Sequence, residues 1–219
     1  MLNPWELLNF SKEKKIAPRE FKELYTELGG IRLLFNGNSD KKGQKACSQY
    51  IDNAGCSVHK GRPLACRLYP LGRQIQFDKA HYIYEGATFP CLTDCAEVLD
   101  LPKLSVGEYL KGQEAGPFEK AQDAYLIVMQ NIADIAFELL LESELTKSGD
   151  TKTLNAWRVL GTDLPEVLVE KIGNDWLDSL MIPDITEDTE NPVTFAEKHN
   201  NLLLLKAQEQ FGSLQTLQE

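Results

Sequence analysis

Five cysteines fall at positions 47, 56, 66, 91 and 95, spaced C-x8-C-x9-C-x24-C-x3-C, and none occurs elsewhere in the chain. Thiolate is a soft donor. It suits zinc tetrahedra and iron–sulfur clusters far better than magnesium or calcium. Cys47, Cys56, Cys66, Cys91 and Cys95 are therefore the candidate metal ligands, with zinc or iron as the expected ion and an iron–sulfur cluster as the alternative. The spacing is not that of a zinc finger, since only Cys91 and Cys95 form a close pair. The competing reading is that each cysteine is a small buried hydrophobe filling core space. Scattered cysteines would favour that reading, whereas their confinement to the segment from Cys47 to Cys95 favours a shared site. An odd count does not suit a closed disulfide framework. Each cysteine is expected at a hairpin or turn edge beside Gly or Pro, where segments converge and backbone N–H groups reach sulfur.

Arginines crowd the same stretch, "CSVHKGRPLACRLYPLGR". Four thiolates around a divalent zinc leave a charge of about −2, costly to bury without cations or N–H donors nearby. Arg62 and Arg67 are the candidate groups for that offset, with Arg73 close behind. His59 lies between Cys56 and Cys66 and is a further candidate ligand for a three-cysteine, one-histidine site; a solvated turn histidine is the ordinary alternative. His81 and His199 have weaker claims. Tyr82 and Tyr84 share a strand face by their spacing, which packing explains. "CLTDCAEVLD" places Cys95 on the first turn of a helix, where the dipole lowers a thiol pKa. No phosphate-binding glycine loop, HExxH or GxSxG is present.

The elements that must position these thiols are short. Asn3 and Pro4 open a helix through "WELLNFSKE", and Pro18 opens another through "REFKELYTEL" that ends at Gly29 and Gly30. Residues 36–46 read as a polar loop. "CSQYI" and "CSVH" flank Asp52-Asn53-Ala54-Gly55 and predict a hairpin; "RQIQF" and "HYIYEG" around Asp78-Lys79-Ala80 predict a second. Beyond Pro102 the pattern turns helical, through "PFEKAQDAYLIVMQNIADIAFELLLESEL", "TLNAWRVLG", "LPEVLVEKIGNDWLDSLM" and "NPVTFAEKHNNLLLLKAQEQFGSL". "PDITEDTENP" reads as an acidic connector.

The expected class is α+β, mainly α: a cysteine-rich β-hairpin module at 1–110 and a helical region at 111–219. With 42% apolar residues in 219, the chain can bury a real core. Its net charge of −10, from 33 acidic and 23 basic residues, opposes nucleic-acid binding, which needs Lys and Arg to neutralise phosphates. No apolar run approaches the length of a membrane span, and the start lacks the basic and apolar regions of a signal peptide. The chain thus reads as cytoplasmic, where thiols stay reduced and grouped cysteines bind metal or react. The helical region is a candidate surface for a protein partner.

At "CSQYIDNAGCSVHKGRPLACRLYPLGR" the sequence resembles the YkgJ-type cysteine-cluster proteins, a family of zinc- or iron-chelating domains. The family pattern of a Cys, a short hairpin to Gly-Cys, an Arg-Pro and a Cys-Arg before an aromatic-Pro pair corresponds to Cys47, Gly55-Cys56, Arg62-Pro63, Cys66-Arg67 and Tyr69-Pro70. Cys91 corresponds to a later family cysteine. The likeness is specific over 45–73, softer over 1–45 and 74–110, and ends there. It implies metal chelation and little about a substrate. The family also carries a C-x-x-C-x-x-C-C type cluster upstream of a stretch like "LNPWELLNFSKEKKI", and no cysteine precedes Cys47 here. The expectation is that residues upstream of Met1 complete the site, or that this chain carries half of it.

Overall fold

Helix α1, Pro4–Lys14, begins where the local chemistry requires. The Asn3 side chain accepts the Glu6 N–H at 2.9 Å, and the Glu6 carboxylate accepts the Asn3 N–H at 3.1 Å. This reciprocal cap satisfies two amides that the first helical turn leaves unpaired. Pro4 occupies the first helical position, where its missing N–H costs nothing. The helix stops as Lys15 turns left-handed at φ 60°. Its inner face buries Trp5, Leu7 and Phe10.

In the computed structural model, residues 2–38, 43, 45–52, 54–77, 79–84, 103–142 and 179–211 are described. The fold is α+β and mainly α, with three small two-stranded antiparallel sheets among the described residues. The residues group by contact into two units: Met1–Arg62 with Lys120–Glu219, and Pro63–Glu119. That grouping follows contacts, whereas the sequence division at residue 110 follows a change of character along the chain.

In the first unit, α2 (Pro18–Tyr25) lays Phe21 flat against Phe10, their rings 5.2 Å apart and 14° from parallel. The sequence predicts that α2 runs to Gly29, but it ends at Tyr25. Thr26 is buried in extended backbone, its hydroxyl donating to the Lys22 carbonyl, and it opens strand β1 (Thr26–Glu27). A 3-10 turn leads into β2 (Arg32–Leu33), which pairs back with Thr26 opposite Leu33. The β1–β2 pairing outweighs helical continuation. Strands β3 (Tyr50–Ile51) and β4 (Gly55–Cys56) follow as the first expected hairpin. Leu2, Leu7, Phe10, Phe21, Ile31, Leu33, Val58 and Met181 form the core beneath them.

Two long helices complete this unit. On α5 (Gly116–Glu142), Ala121, Tyr125, Val128, Ile132 and Ile135 recur at alternating steps of four and three, one helical face, and all are buried. Helix α6 (Pro192–Phe211) buries Phe195, Ala196, His199, Leu203 and Ala207 by the same rule. The Trp5 indole N–H donates to the Thr189 carbonyl at 2.9 Å, tying α1 to the loop before α6. Of the expected helices over "TLNAWRVLG" and "LPEVLVEKIGNDWLDSLM", only the last turn, at 179–181, lies within the described residues.

The second unit holds α3 (Leu64–Leu68), the β5–β6 hairpin (Leu71–Gln76 and Lys79–Tyr84), α4 (Val106–Gly112) and the first turn of α5. Gln76 pairs with Lys79, so Phe77 belongs to the turn and Lys79 and Ala80, expected in it, are strand. Phe77 adopts φ 50° there and is 97% exposed. Ser105 caps α4 through a second reciprocal pair with Glu108. Glu119 accepts the Tyr82 hydroxyl and lies 3.5 Å from Arg73 Nε, closing the hairpin onto α5. Burial, then the Glu119 hydrogen bond and charge, raise the Tyr82 pKa above its ordinary value.

Among the described residues no helix is long and apolar enough to cross a membrane.

Candidate metal centre

Cys47 and Cys56 belong to one module of the first unit. The chain reaches Cys47 through hydrogen bonds with the segment before it. Gly37 N–H donates to the Ala46 carbonyl at 3.0 Å, and Ser48 N–H donates to the Leu34 carbonyl at 2.8 Å. Cys47 then opens a tight turn, its carbonyl accepting the Tyr50 N–H at 2.9 Å. Inside that turn the Gln49 N–H points at the Cys47 sulfur, 3.5 Å away. Backbone amides aimed at sulfur are a common feature around cysteine metal ligands.

Cys56 sits on β4 directly opposite Tyr50. Three residues separate Ile51 from its partner Gly55, and the Ala54 N–H closes the turn onto the Ile51 carbonyl at 3.1 Å. Gly55 adopts φ 83°, a left-handed conformation that glycine takes without steric cost. Both thiols are half-buried and pack against the core beneath the hairpin, and no disulfide joins them.

Gln49 ties the Cys47 segment to the residue that follows Cys56. It is buried, its carbonyl accepts the Ser57 N–H at 2.8 Å, and its side-chain oxygen accepts the Ser57 hydroxyl at 3.2 Å. Lys14 Nζ donates to the same hydroxyl at 3.3 Å. This cation bonds the residue that follows Cys56 and was not picked out by the spacing of the cysteines. Only the i to i+2 offset of Gln49 from Cys47 hints at its role; Lys14 carries no sequence signal at all.

The other expected residues fall elsewhere. Cys66 is exposed and lies on helix α3 of the second unit, not at a turn edge. Pro63 stands at the N-cap of α3, and its carbonyl accepts the Cys66 N–H at 3.0 Å, so the Arg-Pro starts a helix where the sequence reads a turn. The strand expected over "CSVH" stops at Cys56, and His59 is exposed in the turns that follow. Arg62 is half-buried at the end of the first unit's N-terminal segment. Arg67 is only 3% exposed. Its guanidinium donates to the Gln113 carbonyl at 2.7 Å and lies 3.9 Å over the Phe118 ring, with Glu114 at 3.9 Å. Those contacts anchor the α4–α5 junction. The Tyr69–Pro70 peptide bond is cis. Cys91 and Cys95 lie outside the described residues. Among the described residues no group of three or more Cys, His, Asp or Glu side chains is close enough to hold a metal ion.

His199 marks a second polar cluster that its lone position in the sequence hides. It is 1% exposed, with Nδ1 3.2 Å from the Tyr125 hydroxyl and Nε2 3.2 Å from the Ser179 carbonyl. A carbonyl only accepts, so Nε2 carries the proton and Nδ1 accepts from Tyr125. Burial lowers the His199 pKa from 6.5 to about 4, opposed by the Ser179 bond and assisted by Lys206. Burial also holds the Tyr125 hydroxyl protonated, well above its usual range. The pair is a neutral bridge between α5, α6 and residue 179.

No family model, curated protein or solved structure matches the chain.

Proposed function

We propose that the chain chelates zinc or iron through its cysteine cluster. Cys47 and Cys56 supply the first thiolates, Cys66 and Cys91 complete the set, and Cys95 is the dispensable fifth. The observation that carries this reading is the Gln49 amide aimed at the Cys47 sulfur, within the module that also carries Cys56. The donor set fits the ion, because soft sulfur selects zinc or iron over hard cations. The resemblance of residues 45–73 to the YkgJ-type cysteine-cluster proteins points the same way. Bound zinc supplies a redox-silent charge that organises the thiolates, whereas iron–sulfur ligation supplies electron transfer. Of the two arginines expected to offset thiolate charge, Arg62 keeps that role and Lys14 joins it, while Arg67 is engaged by Gln113 and Phe118. The acidic surface, at net −10, sets nucleic acid aside as a partner.

Elemental analysis of protein purified without oxygen tests the proposal. A stoichiometric zinc or iron content is expected, lowered in Cys47→Ser, Cys56→Ser and Cys66→Ser and retained in Cys95→Ser. A brown, oxygen-sensitive preparation would assign the thiols to an iron–sulfur cluster. Metal-free protein, with all four variants equally mild in effect, would make the cysteines ordinary core residues.

A further inference from the structure

The four leucines 202–205 on α6 form an apolar run wider than the core beneath it requires. Leu203 is buried on the stripe shared with His199 and Ala207. Leu202 is half-buried and Leu205 is 56% exposed, one turn along a different face. These two leucines, with Ile185 and Asn201, line a groove of about 340 Å³ between α6 and the loop that precedes it.

The charges of that loop divide unevenly. Asp188 pairs with Lys198 at 2.7 Å and Glu190 with Lys12 at 3.2 Å. Asp184 and Glu187, the two carboxylates that line the groove, have no ion-pair partner among the described residues. Lys198 also lines it, but its charge is met by Asp188. Lys206 stands in a smaller adjoining pocket, beyond Leu202. The groove therefore offers an apolar floor bordered by two uncompensated negative charges, within a molecule of net charge −10.

We infer that this groove is a docking site for a segment of another protein that presents an apolar side chain flanked by Lys or Arg. The leucines receive the apolar anchor, and Asp184 and Glu187 select and orient the cations. Amphipathic helices dock in apolar grooves by the same division of labour. A second copy of this chain fits less well, because like charges would meet across the contact. A phosphate-bearing surface is repelled for the same reason.

Fluorescence anisotropy with a labelled helical peptide of leucine and lysine, and with its leucine–glutamate counterpart, provides the test. The lysine peptide is expected to bind and the glutamate peptide not. Asp184→Asn with Glu187→Gln should weaken binding by about threefold to tenfold. Leu205→Ser should weaken it by about tenfold, through lost apolar contact. Glu20→Gln with Glu23→Gln removes the same charge from the exposed face of α2 and should change little. Equal weakening by the α2 pair, or no effect of Leu205→Ser, overturns the proposal by showing attraction to net charge alone. Concentration-dependent self-association abolished by Leu205→Ser, or binding to anionic lipid vesicles, overturns it in favour of those occupants. The metal content of every variant is expected to stay at the wild-type level, which keeps this outcome separate from that of the cysteine site.

Discussion

Acidification from about pH 7.5 to pH 5 should destabilise the first unit through one side chain, His199. Its imidazole is held neutral by burial, with a pKa of about 4 in place of 6.5. Between those values the unfolded chain takes a proton that the folded chain refuses, so protons favour unfolding. Stability is fully present above pH 6.5 and is lost as the pH falls through 6.5 toward 4, the sign expected of a depressed folded pKa. At about 1.4 kcal/mol per unit, the complete effect is roughly 3 kcal/mol, of which about 2 kcal/mol is lost by pH 5. Tyr125 faces the ring from α5, Lys206 acts on it from α6, and Asp184 lines the same pocket from the preceding loop.

The chain carries 33 carboxylates, some of which also titrate in acid, so the measurement must be differential. Urea unfolding followed by circular dichroism, at both pH values, is compared between the wild type and His199→Gln. The amide of glutamine can donate to the Ser179 carbonyl and accept from Tyr125, yet it does not titrate. The variant is expected to lose stability at pH 7.5, from imperfect packing, but to show a pH dependence shallower by about 2 kcal/mol. Parallel pH dependence in the two proteins would refute the reasoning. So would an imidazole resonance that titrates near its ordinary value in the folded state.

Three further outcomes follow from close contacts and strained backbone. A Cβ on Gly61 would stand 2.8 Å from the Asn9 carbonyl oxygen of α1. Gly61→Ala should therefore lower stability by about 1–3 kcal/mol in the same urea assay, and a change near zero would show the two segments free to separate. Phe77 holds φ 50° while 97% exposed. Phe77→Gly should thus stabilise the hairpin by about 1 kcal/mol, and a loss would show that the ring contributes contacts there. Arg67→Met keeps the stem but removes the bond to Gln113 and the charge over Phe118. It should cost about 2–4 kcal/mol with metal content unchanged; metal loss from a folded Arg67→Met protein would assign the guanidinium to the thiolates.

Local chemistry was readable where a few neighbouring residues suffice. Asn3, Pro4 and Glu6 specify the start of α1 without reference to anything distant, and the spacing of Tyr125, Val128, Ile132 and Ile135 specifies the buried face of α5. Gly55 marked the β3–β4 turn because few other residues accept its backbone. Differences came where strand pairing, rather than a residue's own preference, decided the outcome. The end of α2 depends on Leu33 pairing with Thr26, while its own residues favour continued helix. The β5–β6 turn falls on Phe77, a residue with no turn preference, because the cross-strand register from Leu71–Tyr84 to Gln76–Lys79 outweighs the local choice of Asp78. Pro63 was ambiguous in isolation: the same residue that closes a turn also suits the cap of a short helix.

The candidate site divides along the same line. Confinement of every cysteine to one segment is a property of the sequence and pointed to Cys47 and Cys56, which share a module beneath a common hairpin. The groups around those thiols were not readable. Gln49 acts on Cys47 through a backbone amide, which every non-proline residue possesses, so its identity carries no signal. Lys14 arrives from α1, far away along the chain, and is indistinguishable there from the other lysines of "SKEKK". The His199 bridge was invisible for a related reason, since Tyr125 lies 74 residues away and Ser179 contributes only its carbonyl. Residue types follow from composition, but their surroundings are assembled by tertiary contacts. A thiol spacing therefore proposes a chemistry, and only the fold supplies the neighbours each thiol meets.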